Sequence, residues 1–276
     1  MFDKQAITAL QEGEAISSAH IALETSCDTN DVVALPSDYK LHNLEQFKPL
    51  RRRARGLMNT NVINAFTGYV TDHVEPGATV FVNADDMSAT AVLNLGTPCV
   101  PGHADNRAKL TLKRTAAYSA LVGIASGVGF KQTQIAEFLE DWPEHIQCLN
   151  DSGSITLPKA IASIRKLSIE AIRKIENSEQ QLSASRSAFE SVQATSADPL
   201  PTVIMFDCQP YADLKARTFA LRLNVQTGGD KPTISLRIVK AEQHAEEMAN
   251  ELGYLIAHAF DGASIPVLLG SYSKAE

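Results

Sequence analysis

Between Val80 and Thr115 the chain reads VFVNADDMSATAVLNLGTPCVPGHADNRAKLTLKRT, with polar clusters set at the ends of apolar, strand-like runs. Asp85-Asp86 lies between runs at 78–83 and 89–95, which together read as a hairpin. A Pro- and Gly-rich loop, Gly96 to Gly102, leads through Gly102-His103-Ala104-Asp105-Asn106 into a third run at 107–113. In that run Lys109, Thr111 and Lys113 fall on one side, and Ala108, Leu110 and Leu112 on the other. Alternation of that kind is the mark of a strand with one wet face. The segment therefore commits the centre of the chain to an antiparallel, one-sided sheet.

Helices are expected around it. Residues 3–24 read as a helix with an irregular apolar stripe, followed by a short strand, Val32 to Leu35, that Pro36 ends. Residues 37–58 look like an extended arm with one helical turn near Leu44. Asn59 or Thr60 is placed to cap a helix over 61–74, since a short polar side chain accepts from the unpaired N–H groups of a first turn. Val62, Ile63, Phe66, Tyr69, Val70 and His73 follow its 3- and 4-residue spacing, and Pro76-Gly77 stops it. Further helices are predicted at 115–126 and 132–141. The longest helical signal covers 158–193, where Ile161, Ser168, Ile175, Leu182 and Phe189 recur in heptads, a spine of roughly 50 Å at ~1.5 Å per residue. Thr195 to Pro201 reads as a linker. Beyond it come a strand at 202–208, a hairpin of 217–226 with 233–239, a helix at 241–260 and a strand at 264–270. The expected class is α+β: antiparallel sheets flanked by helices, one spine-like helix, and a C-terminal antiparallel β-β-β-α-β unit. The expected division is 1–56 (helix and basic arm), 57–157 (α+β core), 158–197 (long helix) and 198–276 (C-terminal unit).

Composition bounds the function. With 44% hydrophobic and 21% charged residues the sequence is that of an ordinary globular protein, and no apolar run approaches the ~18 residues of a membrane span. The opening MFDKQAITALQEGEAISS carries acids and no apolar core, so no secretory signal is expected. Cys27, Cys99, Cys148 and Cys208 are dispersed without a CxxC pair, which points away from disulfides and zinc and toward a reducing cytoplasm.

A net charge of −7 excludes a protein that coats nucleic acid by bulk electrostatics. Locally the balance differs. Lys48 to Arg55, KPLRRRAR, holds five positive charges and no negative one, and Arg107, Lys109, Lys113 and Arg114 surround the third strand. Such patches suit phosphate contact, and they equally suit an exposed basic turn or a subunit salt bridge.

Catalytic signals are sparse. His103 with Asp105, Asp85 and Asp86 has the donor types of a divalent-ion or acid–base site, although the acids also fit ordinary side-chain-bonded turns. His244 and His258 share a helix without a metal-binding spacing. Gly123 to Gly129 lacks the Gly-Lys ending of a P-loop, and no GxSxG occurs. No cofactor is expected.

The runs LPSDYKLHNLEQF and KPLRRRARG, with VFVNADDMSATAVLNLG and PGHADNRAKLTLKRTAAYSAL, resemble the prophage YfdQ-like family over roughly residues 32–270. The resemblance implies a phage-derived protein made in the cytoplasm of a bacterial host, and it carries over no catalytic residues. The expectation is a non-enzymatic homo-oligomer that binds nucleic acid or a nucleotide in phage DNA metabolism or counter-defence. Arg51, Arg52, Arg53 and Arg55 would make the contacts, aided by Lys109 and Lys113. The alternatives are a self-assembling shell or scaffold, and a metal-dependent hydrolase built on Asp85, Asp86, His103 and Asp105.

Overall fold

Strand pairing in this chain departs from sequence order at both margins of its first sheet. The computed structural model describes residues 3–24, 45–51, 53–150, 153–166, 200–226 and 233–273. It divides into two units, Met1–Ala54 and Arg55–Glu276. In the first unit helix α1 (Lys4–Glu24) and a 3₁₀ turn (Glu45–Phe47) are described. The predicted strand at Val32 to Leu35 lies outside the described residues.

The second unit begins with β1 (Gly56–Thr60), α2 (Ile63–Asp72), β2 (Thr79–Asn83), β3 (Ser88–Val92) and β4 (Asn106–Thr111). Next come α3 (Ala116–Ile124), α4 (Gln132–Asp141), β5 (Ile146–Asn150), β6 (Gly153–Ile155) and α5 (Leu157–Arg165). It ends with β7 (Val203–Cys208), β8 (Arg217–Gln226), β9 (Thr233–Ile238), α6 (Ala241–Ala259) and β10 (Val267–Leu269). The class is α+β, with two mostly antiparallel five-stranded sheets, β1-β4-β3-β2-β10 and β6-β5-β7-β8-β9.

The expected hairpins form: β2 pairs antiparallel with β3, and β8 with β9. Four expectations change. The end of the supposed arm is β1, which runs parallel to β4 from Gly56↔Asn106 to Thr60↔Leu110. The last strand does not close a C-terminal antiparallel unit; β10 joins the first sheet, parallel to β2. Helix α6 explains this, since 19 residues carry the chain ~28 Å away from the end of β9. The stretch 146–155, for which no element was predicted, is the β5–β6 hairpin, which packs its alternate residues Ile146, Cys148 and Ile155 inward. Leu200, assigned to the linker, is fully buried. Of the long helix, α5 is described; residues 167–199, and most of the heptad rows, lie outside the described residues.

Local chemistry sets the helix starts. Thr115 caps α3, its hydroxyl accepting from the Tyr118 N–H at 3.3 Å. Neither Asn59 nor Thr60 caps α2 as expected. Thr60 Oγ1 accepts from Val62 N–H, one residue short of the helix, and the Ile63 N–H donates to Asp213 Oδ2 at 3.1 Å. A residue 150 positions away thus does the capping, which local sequence cannot reveal.

One apolar core links both sheets. Val80, Val82, Ala89, Ala91, Ala108 and Leu110 face it from the first, and Ile204, Phe206, Phe219 and Leu221 from the second. Phe66 of α2 meets Phe260, just beyond α6, edge to face at 6.4 Å. Thr115 ties the sheets through its N–H to Pro210 O (3.0 Å) and its hydroxyl to Gln209 O (2.6 Å). Arg217 of β8 clamps α6 by donating to Glu247 (2.8 Å) and Glu251 (2.6 Å). Among the described residues no helix is long and apolar enough to cross a membrane.

Candidate functional site

The antiparallel order of β2, β3 and β4 decides where the polar clusters go. Asp85 and Asp86 occupy the β2–β3 turn at one end of the first sheet, and His103 and Asp105 lie in the loop before β4 at the other end. The five residues of β3 separate them by roughly 17 Å. Asp85, Asp86, His103 and Asp105 therefore do not converge, and no metal-binding group of His, Cys, Asp or Glu forms among the described residues. The hydrolase constellation is corrected on that geometry.

Each cluster does local work instead. Asn83 Nδ2 donates to Asp86 Oδ2 at 2.9 Å, and the Asp85 N–H donates to Asn83 Oδ1 at 3.1 Å, so the turn is fastened by its own side chains. In the other loop the buried Asn94 is the bracket. Its Nδ2 donates to Asp105 Oδ1 (2.9 Å) and its Oδ1 accepts from the Asn106 N–H (3.0 Å). The Ala104 N–H donates to Asn94 O, and Ala104 is held at φ 52°, a left-handed conformation uncommon for a residue with a Cβ. Glycine is required at two contacts. A Cβ on Gly77 (φ +80°) would lie 2.0 Å from Gly96 O, and one on Gly102 would lie 2.0 Å from Asn94 O. The loop is thereby fixed, with His103 and Cys99 exposed on it.

The loop delivers β4 in a defined register. Arg107, Lys109 and Thr111 turn away from the core. Register aligns them with Leu57 and Asn59 of β1, with Val92, Thr90 and Ser88 of β3, and beyond these with Phe81 of β2 and Leu268 of β10. Helices α2 and α6 pack on the opposite, apolar side. Lys109 and Thr111 are exposed, and Phe81, Thr90 and Arg107 are half-buried. Tyr272 lies over this face. Its ring centroid is 5.2 Å from that of Phe81, and the Arg107 guanidinium sits over the Tyr272 ring, 5.2 Å from its centroid. Arg107 Nε also donates to Ala104 O at 2.7 Å, which holds the cation beside the aromatic pair.

Lys113 continues the row of β4 as an exposed side chain, and Arg114 sits 5.9 Å from the Tyr118 ring centroid. Arg51 is exposed and Arg53 half-buried in the first unit; Arg55, in the second, is exposed. Arg52 lies outside the described residues. Sequence reasoning missed Phe81, Tyr272 and the bracket Asn94. Tyr272 gives no signal in a polar tail, whereas Asn94 inside an apolar run could have been flagged as a buried polar group in need of partners.

The two buried thiols are not activated. Burial pushes Cys148 up to about 11, and burial, with the Asp207 charge second, pushes Cys208 up to about 11. Tyr118 is raised above the ordinary phenol value, first by burial and then by Tyr211. The arrangement as a whole sets cations along one strand beside a pair of rings.

A family model described as "Uncharacterized conserved protein (DUF2303)" matches residues 4–272. No curated protein and no solved structure matches the chain.

Proposed function

The chain belongs to the DUF2303 family, and we propose that it is a non-enzymatic, homo-oligomeric nucleic-acid-binding protein that holds single strands on the outer face of its first sheet. One observation carries the reading: Arg107 and Lys109 alternate on the outer side of β4, next to the Phe81–Tyr272 ring pair. Bases stack on rings irrespective of sequence, and neighbouring cations take the phosphates. A duplex hides its bases from such a surface, so an unpaired strand is the better fit. Lys113 extends the cationic row, and Arg51, Arg52, Arg53 and Arg55 form a separate basic cluster of the kind that takes phosphate. Resemblance to the prophage YfdQ-like family supports an origin in a phage or prophage, action in the host cytoplasm, and a role in phage DNA metabolism or counter-defence.

The net charge of −7 makes binding depend on these few local contacts. Phosphate contacts by Arg107, Lys109 and Lys113 alone give a slope of about −2 in log affinity against log salt for a single strand, and each arm arginine that joins them adds about −0.7. Titration of labelled single-stranded DNA and RNA, a duplex and mononucleotides at low and moderate salt tests the reading. Single strands are expected to bind tightest, with that slope. Absence of binding at low salt, or binding unchanged by Lys109→Ala with Lys113→Ala and the four arginines changed to alanine, would contradict it.

A further inference from the structure

We propose that the outer edge of β10 pairs antiparallel with the same strand of a second copy, joining two first sheets into one continuous sheet. Val80 N–H donates to Pro266 O at 2.9 Å and Gly270 N–H to Val82 O at 2.8 Å. In a parallel ladder the intervening residues then alternate, so Leu268 bonds toward β2 while the N–H and C=O groups of Val267 and Leu269 point outward. Among the described residues this edge is open, and it is apolar as well. Leu268 is 49% exposed and Leu269 81%, and Tyr254, beside the Gly253 that Leu269 approaches, is 67% exposed.

The other sheet edges differ. The β9 edge is met by Phe130 and Ser126, which bridge to Ile234 and Arg237. The β1 edge follows Arg55 and carries Asn59, and β6 is the small, polar Gly153-Ser154-Ile155. Charged residues, polar residues and shortness each blunt an edge; β10 is short, at three residues, but has neither of the other two.

The strand is complementary to itself. A twofold axis at Leu268 sets Val267 of one copy against Leu269 of the other, as two hydrogen-bonded pairs around a non-bonded Leu268 pair. Val267, Leu268 and Leu269 are all uncharged, so two strands of an acidic chain meet there without like charges opposed. The same axis runs the two α6 helices antiparallel. The occupant is thus a second copy of this chain. Because the axis is perpendicular to the sheet, both rows of β4 cations come out on one side, seven strand spacings or roughly 34 Å apart.

The pairing rests on the reading of the protein as a homo-oligomer and gives that reading a surface. Its test reads mass and cross-linking, so it fails separately from nucleic-acid binding. Light scattering on the full chain is expected to give at least twice the 29.8 kDa chain mass, halved by Leu268→Lys with Leu269→Lys while the far-ultraviolet circular dichroism is retained. In a chain carrying Cys27→Ser and Cys99→Ser, Leu268→Cys is expected to cross-link covalently on mild oxidation, because opposed non-bonded residues lie within disulfide reach. A wild-type monomer, a mass that survives the two lysines, or a Leu268→Cys chain that stays uncross-linked each overturns the pairing.

Discussion

The two sheets of the second unit have equal strand counts and different origins. The second is antiparallel throughout, and three of its four pairings, β5–β6, β7–β8 and β8–β9, join strands that are neighbours in the chain. The first takes a local meander, β2-β3-β4, and flanks it with parallel strands from residues 56–60 and 267–269. Their outer faces differ in turn. On the second sheet the exposed Arg222 and Arg237 stand opposite each other, with no ring contact among the described residues. On the first, Arg107 and Lys109 stand beside Phe81 and Tyr272, and a glycine-fixed loop sets their register. Cationic residues occur on both faces; rings set beside them distinguish the first. The proposed binding face is therefore chosen by its stacking partners, since charge alone does not separate the two faces.

Matched substitutions sharpen the contrast, beginning with the largest effect. Gly77→Ala forces a Cβ against Gly96 O in a left-handed conformation and should cost about 4 kcal/mol. Gly153→Ala, at φ +123° on the second sheet but with nothing within 4 Å, should cost about 1–2 kcal/mol. Urea denaturation of both variants checks the pair, and equal losses would remove the claim that the first sheet's loop is the tighter one. Asn94→Ala strips partners from Asp105 and the Asn106 N–H and should cost about 2–3 kcal/mol by the same measurement.

Smaller effects belong to the second sheet. Glu251→Ala leaves the largely buried Arg217 with Glu247 as its remaining acid and should cost about 2 kcal/mol, seen as a lower thermal midpoint. Alkali should act there too. Cys148 and Cys208 are raised to about 11 when folded, above the ordinary 9, so the folded chain favours their protonated forms. Their contribution is complete below pH 9 and is lost as pH climbs toward 11, so the thermal midpoint should fall across that window. In the native protein at neutral pH, alkylation mapped by mass spectrometry should modify the exposed Cys99 well before either buried thiol.

How far the sequence announced this structure follows the same division. Local signals were readable: the alternation in Arg107 to Lys113 and the turn residues at Asp85-Asp86 both depend on neighbours in the chain. Long-range partners were not. Asp213 caps α2 from 150 residues away, β10 pairs with β2, and Arg107 meets Tyr272, and no periodicity encodes such meetings. The β5–β6 hairpin escaped notice because its strands of five and three residues are too short to display a period. Of the candidate site, Lys109 and Lys113 were legible as one face of a strand, while the rings that give the face its character were not.

The most direct test is a paired charge reversal read by fluorescence anisotropy of a labelled single-stranded oligonucleotide. Lys109→Glu with Lys113→Glu on the first sheet is expected to weaken binding at least about tenfold, roughly 1.4 kcal/mol or more. Arg222→Glu with Arg237→Glu on the second is expected to leave it within about twofold, roughly 0.4 kcal/mol. Equal losses from the two pairs, or a greater loss from the second, would contradict the assignment of the binding face to the first sheet.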